Sequence, residues 1–318
     1  MPIFDLPLEQ LRTYGGRNPR PDDFDEYWDR ALAELAGIDA NVELEPAAFR
    51  TELADCQHLR FTGAGGARIH AKYLRPHRQE PGPAVLLFHG YTGSSGDWFD
   101  KLPFAAAGFH VLALDVRGQG GQSEDRFDGA GGSLYGHVVR GLDNPERLFY
   151  RDVFLDCARL ARIAADLPGV DRARIAAAGG SQGGGLTIAC AALEPTVALA
   201  APTYPFLSDY QRVWEMDLAI AAYEGLRSHF RVFDPLHERE AETFTRLGYI
   251  DVQHLAPRIR AEVLMVTALM DTVTPPSTQF AAYNKISAPK RMLLYPDHGH
   301  ETLPGAADRI FEFLTKLL

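Results

Sequence analysis

Apolar and polar positions follow two different rhythms along this chain, and the change comes after Leu74. From Asp22 to Gly37, Phe24, Tyr27, Trp28, Ala31, Leu32 and Leu35 recur at spacings of three and four, which predicts an amphipathic helix with an acidic first turn. Its aromatic face is expected to pack on the body of the protein. Between Glu52 and Leu74 two extended pieces flank Thr62-Gly-Ala-Gly-Gly66, a turn-rich link that predicts a hairpin. Beyond it the apolar residues gather in short, nearly continuous runs, Pro83 to His89 and Val111 to Asp115, as expected of strands covered on both faces. Trp98 to Ala107 lies between them and suits the crossover helix that parallel strands require.

The alternation continues with a helix over Pro145 to Ala165, a strand at Arg174-Ile175, a helix through Ala192 and a strand near Val197 to Ala201. Such repeated units predict a mostly parallel, doubly wound sheet of the α/β class. The rhythm breaks after Pro205, where Trp214, Tyr223, Phe230, Phe233, Phe244 and Tyr249 sit among charged residues, and a helical insertion over about 205–256 is expected. Strand-like Ala261 to Ala268 and Arg291 to Tyr295 resume the sheet, and an amphipathic helix follows from about Ala306. No Pro/Gly/Ser linker, low-complexity tract or internal repeat divides the 318 residues. One domain over 1–318 is expected, with a helical N-terminal extension over about 1–40.

Composition narrows the function classes. Acidic residues number 42 against 32 basic ones, and a net charge of −10 offers no footprint for nucleic acid or an anionic membrane surface. Cys56, Cys157 and Cys190 are widely spaced in apolar settings with no C-x-x-C pair, which fits buried free thiols in a reducing compartment. The first residues have neither a basic start nor a continuous hydrophobic stretch, so no secretory signal is visible and a cytoplasmic protein is expected. No apolar run approaches the roughly 20 residues that span a bilayer.

Gly179-Gly-Ser-Gln-Gly183 follows an apolar strand-like run and opens onto a helix-like one. That context makes G-x-S-x-G a candidate nucleophile elbow, a bend too tight for Cβ atoms that presents Ser181 in a strained conformation. The alternative is a glycine-rich loop that packs closely or cradles a phosphate. A serine hydroxyl needs a base to take its proton and a carboxylate to orient that base. In an α/β-hydrolase fold the order is serine, acid, histidine. Asp271 follows the strand ending at Ala268, on the sheet edge where chemistry gathers, although it could instead cap the helix after Pro275-Pro276. Only His298 and His300 follow it, and spacing does not choose between them.

A tetrahedral oxyanion needs two N–H donors. Gln182, after the nucleophile at a helix N-terminus, is one candidate; Tyr91, in the loop after His89-Gly90, is the other, unless it only walls the pocket. Arg117-Gly-Gln-Gly-Gly-Gln122 lacks the Lys-Ser/Thr of a phosphate loop, so Arg117 is expected to bridge backbone carbonyls and acids such as Asp115 or Glu124. No His or Cys cluster has zinc-binding geometry, and no metal or cofactor is expected.

Arg117-Gly-Gln-Gly120, Gly179-Gly-Ser-Gln-Gly183 and His300-Glu301 together resemble the three signature motifs of carbohydrate esterase family 7, the acetyl xylan esterases and cephalosporin C deacetylases. The likeness extends through Asp23-Phe-Asp-Glu-Tyr-Trp28, His89-Gly-Tyr91, Tyr204-Pro-Phe-Leu-Ser-Asp209 and Pro275 to Tyr283, nearly the whole chain. In that family the histidine directly precedes glutamate, which selects His300. The resemblance implies a triad of Ser181, Asp271 and His300 and oxyanion donors on Tyr91 and Gln182. It also implies deacetylation of short xylo-oligosaccharides and cephalosporin C, and a homohexamer built as a dimer of trimers. By analogy, peroxide could serve as acyl acceptor. A general short-chain carboxylesterase or a peptidase of the same fold is the competing reading, and a binding protein of that fold the one from a different class.

Overall fold

The computed structural model describes residues 4–78, 80–127 and 136–318; residues 1–3 of the N-terminal stretch lie outside them. Nine strands among the described residues form one sheet in the order β1-β2-β3-β5-β4-β6-β7-β8-β9. β1 (Glu43–Pro46), β2 (Ala54–Thr62) and β3 (Arg68–Pro76) pair antiparallel, and β3 pairs antiparallel with β5 (His110–Leu114). From β5 onward the sheet is parallel through β4 (Gly82–Phe88), β6 (Val170–Gly180), β7 (Val197–Thr203), β8 (Glu262–Ala268) and β9 (Lys290–Tyr295). β5 is buried along its whole length, as its unbroken apolar run requires of a strand with helices on both faces.

The hairpin expected around Thr62 to Gly66 is β2 and β3. The aromatic helix is Phe24–Ala36, which follows a short α1 (Leu8–Leu11) and is numbered α2. It buries Phe24, Tyr27, Trp28, Ala31 and Leu35. Trp28 stacks on Phe154 with ring centroids 5.9 Å apart, and its indole N–H donates to the Tyr249 carbonyl at 3.0 Å. The crossover predicted from Trp98 to Ala107 contains α3 (Leu102–Ala106). α4 (Phe149–Asp166) and α5 (Gln182–Leu193) cover the centre of one sheet face, and every residue of α5 is buried.

Between β7 and β8 lie α6 (Tyr210–Glu215), α7 (Glu224–Phe233), α8 (Glu240–Gly248) and α9 (Val252–Leu255), where an insertion of helices is expected. α10 (Pro276–Lys285) follows β8, and α11 (Ala306–Leu314) follows β9. The N-terminal arm is tied to these late elements. Asp5 accepts from the Ser277 N–H at the start of α10 and from the Arg212 guanidinium, both at 2.7 Å. The Tyr14 hydroxyl and the main-chain N–H groups of Arg17 and Asn18 all donate to Asp209, at 2.8–2.9 Å. Cys56, Cys157 and Cys190 are buried and unbridged, in line with their apolar surroundings. Among the described residues no helix is long and apolar enough to cross a membrane.

Candidate active site

β6 ends at Gly180 and α5 starts at Gln182, so Ser181 alone makes the bend, at φ 58° and ψ −119°. That left-handed φ is costly for any residue with a Cβ and persists only where the surroundings enforce it. Here they do. The Ser181 N–H donates to the Thr203 carbonyl at 3.0 Å, and its own carbonyl accepts from Gly184, Gly185 and Phe206. The flanking glycines permit the bend: a Cβ on Gly183 would stand 2.1 Å from the Phe88 carbonyl oxygen, and one on Gly179 would stand 2.6 Å from the carbonyls of Phe88 and Gly183.

The three residues singled out as nucleophile, acid and base come together in one hydrogen-bonded chain. His300 Nε2 lies 3.0 Å from Ser181 Oγ, and His300 Nδ1 lies 2.8 Å from Asp271 Oδ2. The loops after β6, β8 and β9 deliver them to the carboxyl edge of the parallel sheet, where the strand ends point their successors toward one another. Asp271 is fully buried, and its carboxylate oxygens are shared out among fixed donors. Oδ1 accepts the N–H groups of Val273 and Thr274, and Oδ2 accepts the Thr274 hydroxyl, all at 2.8 Å. It therefore closes the turn ahead of α10 rather than capping the helix, whose N-cap is Pro275. A carboxylate held this way orients the imidazole, which can then take a proton from the hydroxyl and return it to a leaving group.

His298 stays outside this chain. Its ring packs edge-on to Tyr295 at 5.5 Å, and its carbonyl accepts the Met270 N–H. The ring that does face His300 is Tyr204, with centroids 4.5 Å apart. A cleft of about 810 Å³ between α3 and α11 is walled in part by Gly179, Gly180 and Tyr204, behind the bend; Ser181 and His300 do not line it.

Gln182 and Tyr91 both border the bend, but their side chains turn elsewhere. The Gln182 amide is buried and exchanges hydrogen bonds with Gln119 at 2.8 and 3.0 Å while accepting the Tyr150 hydroxyl at 2.8 Å. The Tyr91 hydroxyl accepts the His137 N–H at 3.0 Å, and its ring lies 5.8 Å from Phe206. Among the described residues neither the Tyr91 nor the Gln182 main-chain N–H has a protein acceptor.

Arg117 braces the floor with other partners than the sequence suggests. Its guanidinium meets both oxygens of Asp156 at 2.8 and 2.9 Å, Asp152 at 2.9 Å and the Ala64 carbonyl at 2.9 Å. The carbonyl contact is as expected; the acids Asp115 and Glu124 are not its partners. The side chain points away from its own loop onto α4, where Asp152 and Asp156 share a face four residues apart. Burial pushes both carboxyls up in pKa against the pull of the guanidinium. Asp115 instead holds His70 at 2.7 Å and the N–H groups of Ser95 and Gln122 at 2.6 and 3.0 Å.

Sequence reasoning also passed over Gln119, Tyr150 and Thr274. Thr274 carried a signal, since Asp-Thr-Val-Thr after a strand suits an Asx turn. Tyr150 carried none.

The chain matches the family model described as acetyl xylan esterase (AXE1) over residues 1–317. Two solved structures superpose closely. Acetyl xylan esterase 1 from Thermoanaerobacterium sp. JW/SL YS485 is 54% identical with a TM-score of 0.98, covering 99% of each chain. An acetyl xylan esterase from Paenibacillus sp. R4 is 36% identical with a TM-score of 0.94, covering 98% of this chain and 100% of that one. The acetyl esterase Axe7A of Xylanibacter ruminicola is 27% identical over 304 residues, 92% of this chain but 66% of that protein. Other curated relatives are matched over smaller shares, such as 43% of the esterase FrsA of Escherichia fergusonii. An α/β hydrolase, GrgF from Penicillium sp. sh18, is 18% identical with a TM-score of 0.58 over 82% of this chain and 98% of that one, a likeness of fold.

Proposed function

The chain belongs to the acetyl xylan esterase family, and on that premise we propose that it is a serine esterase removing acetyl groups from small acetylated carbohydrates and cephalosporin C type esters. The observation that carries this reading is the unbroken chain from Asp271 through His300 to Ser181, with the serine at its strained bend. Ser181 Oγ attacks the acetyl carbonyl as His300 Nε2 accepts its proton. Negative charge on the carbonyl oxygen is met by the N–H groups of Tyr91 and Gln182, the latter at the N-terminus of α5. His300 returns the proton to the sugar or antibiotic oxygen, and the alcohol leaves. Water, deprotonated by His300, then attacks the acetyl-enzyme, and acetate departs with Ser181 reprotonated.

The same reading makes 1–318 one domain and the protein a cytoplasmic homohexamer arranged as a dimer of trimers. Light scattering coupled to gel filtration checks the hexamer.

The decisive assay is p-nitrophenyl ester turnover from acetate to octanoate by wild type, Ser181→Ala and His300→Ala, beside cephalosporin C and acetylated xylo-oligosaccharides. Either variant is expected to lose at least about a thousandfold in kcat. Unimpaired turnover in one of them refutes the assignment. A flat profile out to octanoate indicates a general esterase, and cleavage of a peptide panel without deacetylation indicates a peptidase.

A further inference from the structure

The Gly90–Tyr91 peptide, whose N–H is assigned above to the oxyanion, is gripped through its opposite end. The Gly90 carbonyl accepts His89 Nδ1–H at 2.7 Å and the Gly93 N–H at 3.1 Å. Because a peptide is planar, fixing its C=O also fixes the N–H that points the other way. The imidazole has no freedom of tautomer. Its Nε2 lies 3.0 Å from the Val116 N–H, a group that can only donate, so the proton of the neutral ring sits on Nδ1, facing Gly90. Burial holds the His89 pKa below the ordinary histidine value and keeps the ring neutral.

The next peptide is pinned in the same manner. The Thr92 N–H donates to Gln119 Oε1 at 2.8 Å, which obliges the Gln119 amide nitrogen to face Gln182 Oε1, also at 2.8 Å. Gln182 Nε2 returns a bond to Gln119 Oε1 at 3.0 Å and points toward the Gly90 carbonyl at 3.4 Å. Thr92 itself has φ 59°, a turn conformation that needs such external ties. One amide thus connects the loop bearing the first donor to the residue bearing the second.

We infer that His89 and Gln119 are positioning residues for the oxyanion site, setting the planes of the two peptides that flank Tyr91 without touching the reacting atoms. The inference rests on the reading of Ser181 as nucleophile. Donors aimed at the charged oxygen act in the transition state more than in the bound ester, so their misalignment lowers kcat and leaves KM nearly unchanged.

The test uses the full chain as wild type, His89→Leu, His89→Asn and Gln119→Met. Asparagine can present an N–H where Nδ1 stands; leucine cannot. Four quantities are read: kcat and KM for p-nitrophenyl acetate, the inhibition constant of methylboronic acid, and fluorophosphonate labelling. The boronic acid forms a tetrahedral anion on Ser181. For His89→Leu, kcat is expected to fall about a hundredfold, KM to move less than about threefold, and boronate affinity to weaken alongside kcat. His89→Asn is expected to recover about tenfold of that loss, and Gln119→Met to shift kcat and boronate affinity together. Unchanged kcat in His89→Leu, an asparagine variant no better than leucine, or a kcat loss with full boronate affinity each overturns the inference. Should His89→Leu fail to fold, unchanged boronate affinity in folded His89→Asn and Gln119→Met does so. A wild type that neither turns over ester nor labels defeats the esterase reading instead, a result distinct from an active wild type indifferent to these substitutions.

Discussion

His300 Nε2 and Ser181 Oγ stand 3.0 Å apart across 119 positions of chain, and nothing local to either residue puts them there. The serine is delivered by the end of β6 and the histidine by the end of β9, two strands that are not neighbours. Their distance is therefore set by the sheet, and by Asp271 behind the histidine.

Thr274 governs that support. Its hydroxyl and N–H both donate to Asp271, at 2.8 Å, and Thr274→Val removes only the first. A hydrogen bond to a buried carboxylate contributes about 1.5–3 kcal/mol, so kcat for p-nitrophenyl acetate should fall about tenfold or more while Thr274→Ser stays near wild type. Equal activity in valine and serine variants would show that the hydroxyl is idle.

The glycines of the elbow are not equivalent. A Cβ on Gly183 would meet main-chain oxygen at 2.1 Å, whereas one on Gly180 would meet the edge of the Tyr204 ring at 3.4 Å. Gly183→Ala should lose about 1–3 kcal/mol of stability and nearly all activity, and Gly180→Ala should keep most of both. Denaturant midpoints and ester turnover on the two variants decide the matter.

Arg117 neutralises the buried Asp156 and the half-buried Asp152 at once. Arg117→Ala leaves the buried Asp156 without its ion-pair partner and Asp152 with Arg151 alone, 3.8 Å away, at a cost of about 3–5 kcal/mol, read as a lower urea midpoint at unchanged m-value. Adding Asp156→Asn to Arg117→Ala should recover part of that loss, because one stranded charge disappears. A double variant no more stable than Arg117→Ala would argue against charge as the cause.

Asp251 makes stability depend on pH. Burial first, and then the like charge of Asp209, raises its pKa to about 7 in the folded protein, against about 3.9 for a free side chain. Between about pH 4 and 7 the folded state holds a proton that the unfolded chain has released, so Asp251 makes folding progressively less favourable as pH rises through that window, with no further change above it. The stability of wild type relative to Asp251→Asn should therefore decline from pH 4 to 7 and then level off. A difference that is flat or rises across those pH values contradicts the assignment.

Much of this site could be read in the chain because its chemistry demands residue types in a fixed order. The glycines around Ser181 announce a bend, the run Val263 to Ala268 ends just before Asp271, and only two histidines follow. What escaped was decided by side-chain direction across distant segments. Arg117 lies two residues beyond Asp115 yet pairs with residues 35 and 39 positions on, because its side chain points at α4. β1 was missed since all four of its residues are exposed, leaving no alternation to detect. His298 and His300 are two residues apart; spacing alone does not choose between them, the family resemblance does, and in the structure the bonds of His300 to Asp271 and Ser181 set it apart from His298, which packs on Tyr295.

The arm that places Asp5 on Ser277 spans 272 positions, and this bears on how the protein is made. A ribosome releases the arm first and its docking surface on Arg212, Ser277 and Asn284 far later. Through most of translation those early residues have nowhere to bind. Docking of the arm onto α10, the helix that follows the acid loop, is thus a late event in biogenesis, closing behind a sheet whose own last strand must emerge before His300 can reach its place.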